Sequence, residues 1–286
     1  MKKAWIAVGV LGLWLPMAGA IEARTYCRFV PERLDDFAWE NDKIAFRAYG
    51  PAARDRAENS GFDCWLKRVD YPIIDKWYGQ MKKKSYHKDW GEGHDPYHVG
   101  SSAGCGGTGI WLNQTREPLE AYTEYEVIEC TPEKSVSKLT YDREIDGVVY
   151  GEEKTITIEL GKRLFHARSL FTKEGKFAAG LPVCIGITTH DGKAVATSDL
   201  SKGWMACWER IQDFGVGTGV VMDPQRIDEY LLVESPEKDQ GHALFIATTD
   251  AKGEVEYFAG YGWEKAGEMK TTNDWNSDLE HYGDHL

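Results

Sequence analysis

The sequence predicts a mainly β protein, a large antiparallel β-sandwich with few short helices. Apolar and polar residues alternate over several segments, as strands with one solvated face require. Turn sequences that contain glycine separate these segments, and helical periodicity is scarce. Since no Pro- or Ser-rich linker interrupts the chain, we expect one domain built from two large stacked sheets.

The clearest strand covers residues 154–160, where Ile156, Ile158 and Leu160 alternate with polar residues. One face of this strand is therefore expected in the core and the other in solvent. The same alternation predicts further strands over residues 122–128, 136–141, 181–188, 243–249 and 255–261.

The C-terminal segment is the best candidate for a helix. Trp275, Leu279 and Tyr282 share one helical face, and Asn273 precedes them as a candidate N-cap. The turns that separate the strands are predicted at Asp146-Gly147, Asp191-Gly192 and Lys252-Gly253.

Residues 1–20 have the composition of a secretory signal peptide. Lys2 and Lys3 give a charged start, an apolar run follows over residues 4–15, and Ala18-Gly19-Ala20 provides small residues for cleavage. The apolar run is too short to cross a bilayer. We expect residues 1–20 to be removed and residues 21–286 to form a single domain that is soluble and periplasmic or secreted.

The charge of the chain limits its partners. The formal net charge is −12, and it becomes −14 when Lys2 and Lys3 leave with the signal peptide. A surface this acidic argues against nucleic acid and anionic membranes as partners. An anionic substrate would therefore need a local positive pocket.

Six cysteines follow residue 20, and an exported protein can oxidise them. Six cysteines allow 15 full pairings, and the sequence does not choose among them. None forms a CxxC pair, which makes a zinc site built from thiolates an unfavourable interpretation.

Residues 86–98 contain three of the eight histidines among acids, a lysine, aromatics and glycines. This density of titratable groups indicates acid and base chemistry. Metal binding is the competing interpretation, with a divalent cation near His87, Glu92 and His94. Pro96 and two glycines oppose a helix here, so the spacing of a helical zinc motif does not apply and we favour a site without a metal.

A second polar group lies near the N-terminus. If residues 38–49 form one strand, Trp39, Asn41 and Arg47 share a face, which suits the binding of a sugar acid because Arg grips carboxylates bidentately. The alternative interpretation is a solvated sheet face with a cross-strand ion pair.

Several segments, spread in one order over nearly the whole chain, match the pattern of a bacterial family. They are VPER at 30–33, DDFAWEND at 35–42, YPIIDKWY at 71–78, YHKD at 86–89, GEG at 91–93, the glycine-rich run at 100–109, GTG at 217–219, VMDP at 221–224 and AGYGWEKAG at 259–267. On these motifs the chain resembles the domain-of-unknown-function family 4861, found in bacterial polysaccharide-degradation gene clusters.

The resemblance implies carbohydrate chemistry on a galactose-mutarotase-like supersandwich. The best-understood activity of the family is that of an oligosaccharide dehydratase, which removes water from the non-reducing-end uronic acid of ulvan-type fragments. For this chain the expected function is therefore a carbon–oxygen lyase acting on uronate-containing oligosaccharides. A non-catalytic glycan-binding protein and a mutarotase or epimerase are the alternatives, since a fold alone does not fix a function.

Elimination of water needs a clamp for the carboxylate, a base for the C5 proton and an acid for the C4 hydroxyl. The histidine-rich segment supplies the candidates for proton transfer, and cations and aromatics supply those for binding. The predicted catalytic residues are His87, Lys88, His94 and Tyr97. The predicted substrate-binding residues are Arg33, Trp39, Asn41, Arg47, Lys76, Trp77, Glu92 and Trp263.

Overall fold

The computed structural model describes residues 22–284, so the predicted signal peptide lies outside the described residues. Within this range the chain forms two α-helices, α1 (Ile74–Gln80) and α2 (Thr272–Gly283), and twenty strands. The strands are β1 (Tyr26–Val30), β2 (Asp36–Glu40), β3 (Ala45–Ala48), β4 (Phe62–Cys64), β5 (Leu66–Lys67), β6 (Gly93–His94), β7 (Cys105–Leu112), β8 (Thr115–Glu117), β9 (Glu124–Cys130), β10 (Lys134–Ile145), β11 (Val148–Glu159), β12 (Leu164–Lys173), β13 (Lys176–Phe177), β14 (Pro182–Thr188), β15 (Val195–Asp199), β16 (Trp204–Ile211), β17 (Phe214–Val221), β18 (Glu229–Val233), β19 (His242–Thr248) and β20 (Glu254–Trp263).

The predicted β-sandwich is confirmed. One of its layers is a single large sheet, and the other consists of two smaller sheets. A nine-stranded antiparallel sheet runs in the order β15-β16-β17-β20-β12-β11-β10-β9, with β13 paired to β12. A five-stranded sheet, β18-β19-β14-β7-β8, and a four-stranded sheet, β1-β2-β3-β4, pack against it. A single parallel bridge between Phe62 and Gly104 joins the two smaller sheets.

Each of the six predicted strand segments overlaps a strand of the structure. The β10–β11 hairpin is paired without interruption from Lys134 opposite Glu159 to Ile145 opposite Val148. Asp146 and Gly147 close it with φ values of 52° and 78°, a two-residue turn that needs residues tolerant of positive φ. Local turn chemistry therefore fixes the register of the two longest strands.

Residues 38–49 form a hairpin and not one continuous strand. β2 ends at Glu40 and β3 begins at Ala45, because the side-chain oxygen of Asn41 accepts the amide hydrogens of Lys43 and Ile44 and turns the chain.

This turn changes which side chains share a face of the hairpin. Trp39 lies opposite Phe46 and faces the main core, whereas Arg47 lies opposite Ala38 on the other face. The second face is covered by α1, and this layer carries the polar groups described below.

The C-terminal helix is confirmed, but its cap is not Asn273. Thr271 accepts the amide hydrogen of Asp274, and the Asp274 carboxylate accepts the Thr271 amide hydrogen, which makes a capping box. Trp275 is buried against β17, where a side chain in place of Gly217 would clash with the indole at 2.5 Å.

No helix among residues 22–284 is both long and apolar enough to cross a membrane. The six cysteines are free thiols, of which Cys130 is exposed and the others are buried.

Candidate functional site

A cavity of about 300 Å³ lies between α1 and the segment that follows it. We call it the lysine cavity. It is lined by Tyr71, Lys76, Trp77, Gln80, Lys84, Ser85, Tyr86, Lys88, Trp90, Gly91, Glu92 and Gly93.

Glu92 is the anchor of this cavity. Its Oε1 lies 2.5 Å from both the Lys76 Nζ and the Tyr71 hydroxyl, and its Oε2 accepts the Trp77 indole hydrogen at 3.3 Å. Partial burial opposes ionisation, but the hydrogen bonds from Lys76 and Tyr71 hold the pKa of Glu92 below its ordinary value. The hydrogen bond to Glu92 raises the pKa of Tyr71 to about 12, so this phenol stays protonated near neutral pH.

Two further lysines leave the cavity with surplus positive charge. The Nζ atoms of Lys84 and Lys88 lie 5.5 and 4.6 Å from the centre of the Trp90 ring. Neither forms an ion pair within residues 22–284, whereas the Glu92 carboxylate is already matched by Lys76. Trp90 is 52% exposed and offers a free aromatic face.

Two of the lining rings, those of Trp77 and Tyr86, pack on the buried ring of Trp65 behind them. The Trp65 ring lies 5.3 Å from that of Trp77 and 4.9 Å from that of Tyr86. The Tyr86 hydroxyl is 3.5 Å from Nη1 of Arg47, which links the cavity to a buried charged layer behind it.

This layer, the arginine cluster, consists of Arg33, Asp36, Arg47, Asp63 and Asp95. Nη2 of Arg47 lies 2.5 Å from Asp63 and 3.3 Å from Asp95, and Nη1 lies 3.7 Å from Asp36. Arg33 is 3.0 Å from Asp36. Three buried carboxylates therefore share two guanidinium groups.

Burial dominates the protonation of these carboxylates. Loss of solvation raises the pKa of Asp36 to about 6 despite the nearby Arg47 and Arg33. The pKa of Asp95 is raised well above its ordinary value by burial and by the charge of Asp63. His87 is 3.4 Å from the Asp95 carboxylate, and its side chain is 63% exposed.

Comparison with known proteins identifies the family. The family model described as "Domain of unknown function (DUF4861)" matches residues 17–286. The chain belongs to this family. A relative from Formosa agariphila, "Uncharacterized protein P7", is 33% identical over an alignment 285 positions long, which covers 93% of this chain and 69% of that protein.

Two solved structures resemble this DUF4861 member at 8% sequence identity. One is a putative kojibiose phosphorylase from the human microbiome, with a TM-score of 0.45 and coverage of 93% of this chain and 37% of that one. The other is the α-galactosidase from Lactobacillus brevis, with a TM-score of 0.39 and coverage of 87% and 41%. The chain thus spans well under half the length of either structure.

The structure of this DUF4861 member brings four predicted site residues together. Lys76, Trp77, Lys88 and Glu92 all line the lysine cavity. His87 adjoins it, with its ring 4.5 Å from that of Tyr86, and its Nδ1 is 2.9 Å from the backbone oxygen of Asp95.

The two predicted arginines do not present a free clamp for a substrate carboxylate. Arg47 is 2% exposed and is occupied by carboxylates of the protein. Arg33 is bound by Asp36 and Glu58. The sequence offered no sign of these carboxylate partners, because Asp63 and Asp95 reach Arg47 only through the fold.

Trp39 and Asn41 have structural positions. Trp39 is fully buried and packs against Phe46 and Phe165, so no part of its ring is available to a sugar. The Asn41 amide donates to the backbone oxygens of Glu159 and Lys162 and ties the β2–β3 turn to the β11–β12 turn.

His94, Tyr97 and Trp263 also lie apart from the lysine cavity. Nε2 of His94 is 3.0 Å from the Gln212 side-chain oxygen, and burial lowers the pKa of His94. Tyr97 is buried, donates to the backbone oxygen of Gly104, and has a pKa raised well above its ordinary value by burial. Trp263 is 1% exposed beside His94.

The residues proposed for a divalent cation have separate partners. Glu92 is bound by Lys76, His94 by Gln212, and His87 by Asp95. No group of three His, Cys, Asp or Glu side chains within residues 22–284 is placed to hold a metal ion.

Sequence reasoning missed Tyr71 and Lys84 as lining residues. Lys84 ends a run of three lysines, which is typical of a solvated loop. Tyr71 precedes α1, and only the return of the chain at Glu92 gives its hydroxyl a partner.

Proposed function

We propose that this protein is a carbohydrate-active enzyme that binds the non-reducing-end uronic acid of an oligosaccharide in the lysine cavity and eliminates water from it. The observation that carries the proposal is the surplus of positive charge from Lys84 and Lys88 beside the exposed ring of Trp90, on a chain with a net charge of −12. Cations over an aromatic face suit a sugar that bears a carboxylate. The family resemblance carried by the sequence motifs points to the same substrate class.

In the proposed reaction the lysines hold the substrate carboxylate and stabilise the charge that develops when the C5 proton leaves. The C5–H bond breaks as the His87 side chain takes the proton, while Lys84 and Lys88 remain the cations that face the carboxylate. The C4–O bond breaks as the Tyr86 hydroxyl donates its proton. The products are water and a 4,5-unsaturated uronate.

The proposed location is the periplasm or the medium, supported by the composition of residues 1–20. N-terminal sequencing of the protein from its native host tests it. A mature chain that starts at or near residue 21 is expected, and recovery of an intact chain from the cytoplasm would contradict export.

The reaction is tested by incubating residues 21–286 with a panel of oligouronides that have saturated ends. Ultraviolet absorbance is expected to rise as the conjugated double bond forms, and mass spectrometry should show loss of water at constant chain length. Lys88→Ala should lose the activity and keep its fold. Lys176→Ala, which removes an exposed lysine far along the chain, should behave as wild type.

Absence of product over the whole panel would contradict the dehydratase proposal, and so would full activity in Lys88→Ala. Shortened chains that carry unsaturated ends would replace it with a glycosidic-bond lyase.

A glycan-binding protein is the second candidate, because no histidine is among the described residues that line the cavity. Calorimetry separates the two functions. A binder should take up oligouronides without turnover, lose affinity with Trp90→Ala and be insensitive to His87→Ala.

A further inference from the structure

A second cavity, of about 400 Å³, lies near the other end of the polar segment 86–98. Gly93 lines the lysine cavity and Pro96 lines this one. The Cα atoms of these two residues can be at most about 10 Å apart. We call it the histidine cavity. Its lining residues are Pro96, His98, His190, Asp191, Lys193, Glu209, Arg210, Ile211, Gln212 and Lys238.

The His190 ring is held between Glu209 and the backbone of His98. Nε2 of His190 is 2.6 Å from the backbone oxygen of His98, which can only accept, so Nε2 carries a hydrogen. Nδ1 contacts the Glu209 carboxylate, and both side chains are less than 10% exposed. The Glu209 carboxylate is therefore already engaged by the His190 ring.

The His98 ring is also held by a carboxylate, but it is open to solvent. Its Nε2 is 2.8 Å from the Asp239 carboxylate, and its side chain is 44% exposed. Carboxylate contact at Nε2 favours the tautomer with hydrogen on that atom, which leaves Nδ1 free to accept. No hydrogen bond to this Nδ1 is made within residues 22–284.

Three cationic side chains line the histidine cavity. Lys193 and Lys238 are exposed and make no ion pair with any residue in the described range. Arg210 is 62% exposed and lies 3.5 Å from Glu264, which is outside the lining. Two carboxylates, Asp191 and Glu209, are also in the lining, so the three cations outnumber them and the wall is positive overall.

Backbone strain accompanies this arrangement. His190 and Asp191 have φ values of 47° and 58°, in the left-handed region that non-glycine residues rarely adopt. Such strain is maintained where the surrounding contacts demand it, and here it places the His190 ring between Glu209 and His98.

We propose that the histidine cavity is a second binding site for a negatively charged sugar, whose carboxylate or sulfate group is held by Lys193, Arg210 and Lys238. The charge of the ligand follows from the cavity itself, and its assignment to a sugar rests on the proposed function. The cavity volume exceeds what a bare ion fills and suits a small ligand that also meets His98.

The imidazole resonances of His98 and His190 in the folded protein report on occupancy. We expect both to shift saturably with glucuronate or with glucose 6-sulfate, and not with glucose. A response to glucuronate alone assigns a carboxylate, and a response to glucose 6-sulfate alone assigns a sulfate ester. His98→Asn and His190→Asn assign the resonances.

The double variant Lys193→Ala/Lys238→Ala should weaken this response at least tenfold, because it removes two exposed charges without breaking an ion pair. The matched control Lys176→Ala/Lys252→Ala loses two exposed lysines elsewhere and should titrate as wild type. Lys84→Ala/Lys88→Ala should also retain the response, because it alters only the lysine cavity.

The proposal is overturned if no saturable shift occurs, if glucose shifts the resonances equally, or if Lys193→Ala/Lys238→Ala binds as wild type. Loss of water from oligouronides is scored in a separate assay. A protein that binds glucuronate here and shows no dehydratase activity would contradict the proposed reaction and support this site.

Discussion

The Nζ atom of Lys76 lies 2.5 Å from Oε1 of Glu92, and this ion pair joins α1 to the segment that returns along it. The side chain of Glu92 is 13% exposed and also accepts hydrogen bonds from Tyr71 and Trp77. One carboxylate therefore sets the positions of three side chains in the lysine cavity.

Glu92→Gln should lower the free energy of unfolding by about 1–3 kcal/mol, since hydrogen bonds to a charged acceptor are stronger than those to a neutral one. Urea denaturation at pH 7 measures the change. Glu229→Gln on β18 is the matched control, because Glu229 is exposed and makes no ion pair in the described structure. Equal stability changes in the two variants would show that Glu92 does not organise the cavity.

Arg47→Met should cost about 3–5 kcal/mol at pH 7, because it leaves the buried carboxylates of the arginine cluster without their shared cation. The loss should be smaller at pH 5. Asp36 already has a pKa raised to about 6, and without Arg47 these carboxylates take up protons still more readily. Chemical denaturation at the two pH values tests this, with Arg47→Lys as the variant that keeps the charge. A loss that does not depend on pH would contradict it.

The sandwich interior contains a second charged pair, Lys154 with Glu152 at 2.8 Å, both nearly inaccessible. Burial lowers the pKa of Lys154, and Thr108, Ser169 and Tyr257 hydroxyls complete its contacts. Lys154→Met alone should cost about 3–5 kcal/mol, because Glu152 is left buried and unpaired.

The double variant Lys154→Met/Glu152→Gln should lose less stability than the sum of the two single variants, because it removes both charges together. A double-mutant cycle by thermal or urea unfolding measures the coupling. Additive losses would mean that the pair contributes nothing beyond its separate contacts.

His242 should make the protein sensitive to acid. Nδ1 of His242 donates to the backbone oxygen of Gln240, and Nε2 accepts the Ala103 amide hydrogen, so the folded state requires the neutral ring. Burial, together with the charge of Arg116, lowers the pKa of His242 to about 3. The unfolded chain takes up this proton near its ordinary pKa of about 6.5.

Since the unfolded state binds the extra proton, the stability contribution is full above about pH 6.5 and falls as the pH drops toward 3. His242→Gln keeps an acceptor for Ala103 without a titrating ring and should flatten the fall in unfolding free energy between pH 6.5 and pH 4.5. An unchanged slope in that variant would place the acid sensitivity elsewhere.

Much of the fold followed from local patterns. The alternation over residues 154–160 predicted β11 because a strand with one buried face requires it, and Asp146-Gly147 predicted the turn that closes the longest hairpin. The departure from one continuous strand over residues 38–49 had a local cause as well, since the Asn41 turn divides the segment into two strands. As a result, Trp39 and Arg47 lie on opposite faces of the hairpin and not on one shared face.

The candidate site followed only in part from the sequence. Lys76, Trp77, Lys88 and Glu92 lie within 17 residues of one another along the chain, and a short helix and its return bring them together. His94 and Tyr97 belong to the same polar segment but enter the interior beyond Gly93, where the chain pairs with Leu66 as β6.

The sequence by itself determined the mainly β architecture, the strand segments, the family and the group of residues around Glu92, because periodicity, turn chemistry and short-range spacing are local properties. Only the tertiary structure decided that Arg47 is held by Asp63 and Asp95, that Trp39 belongs to the core, and that His98, His190 and Glu209 meet around one cavity. The physical reason is that burial and charge pairing depend on residues far apart in the chain, and these neighbours exist only after the sheets have stacked.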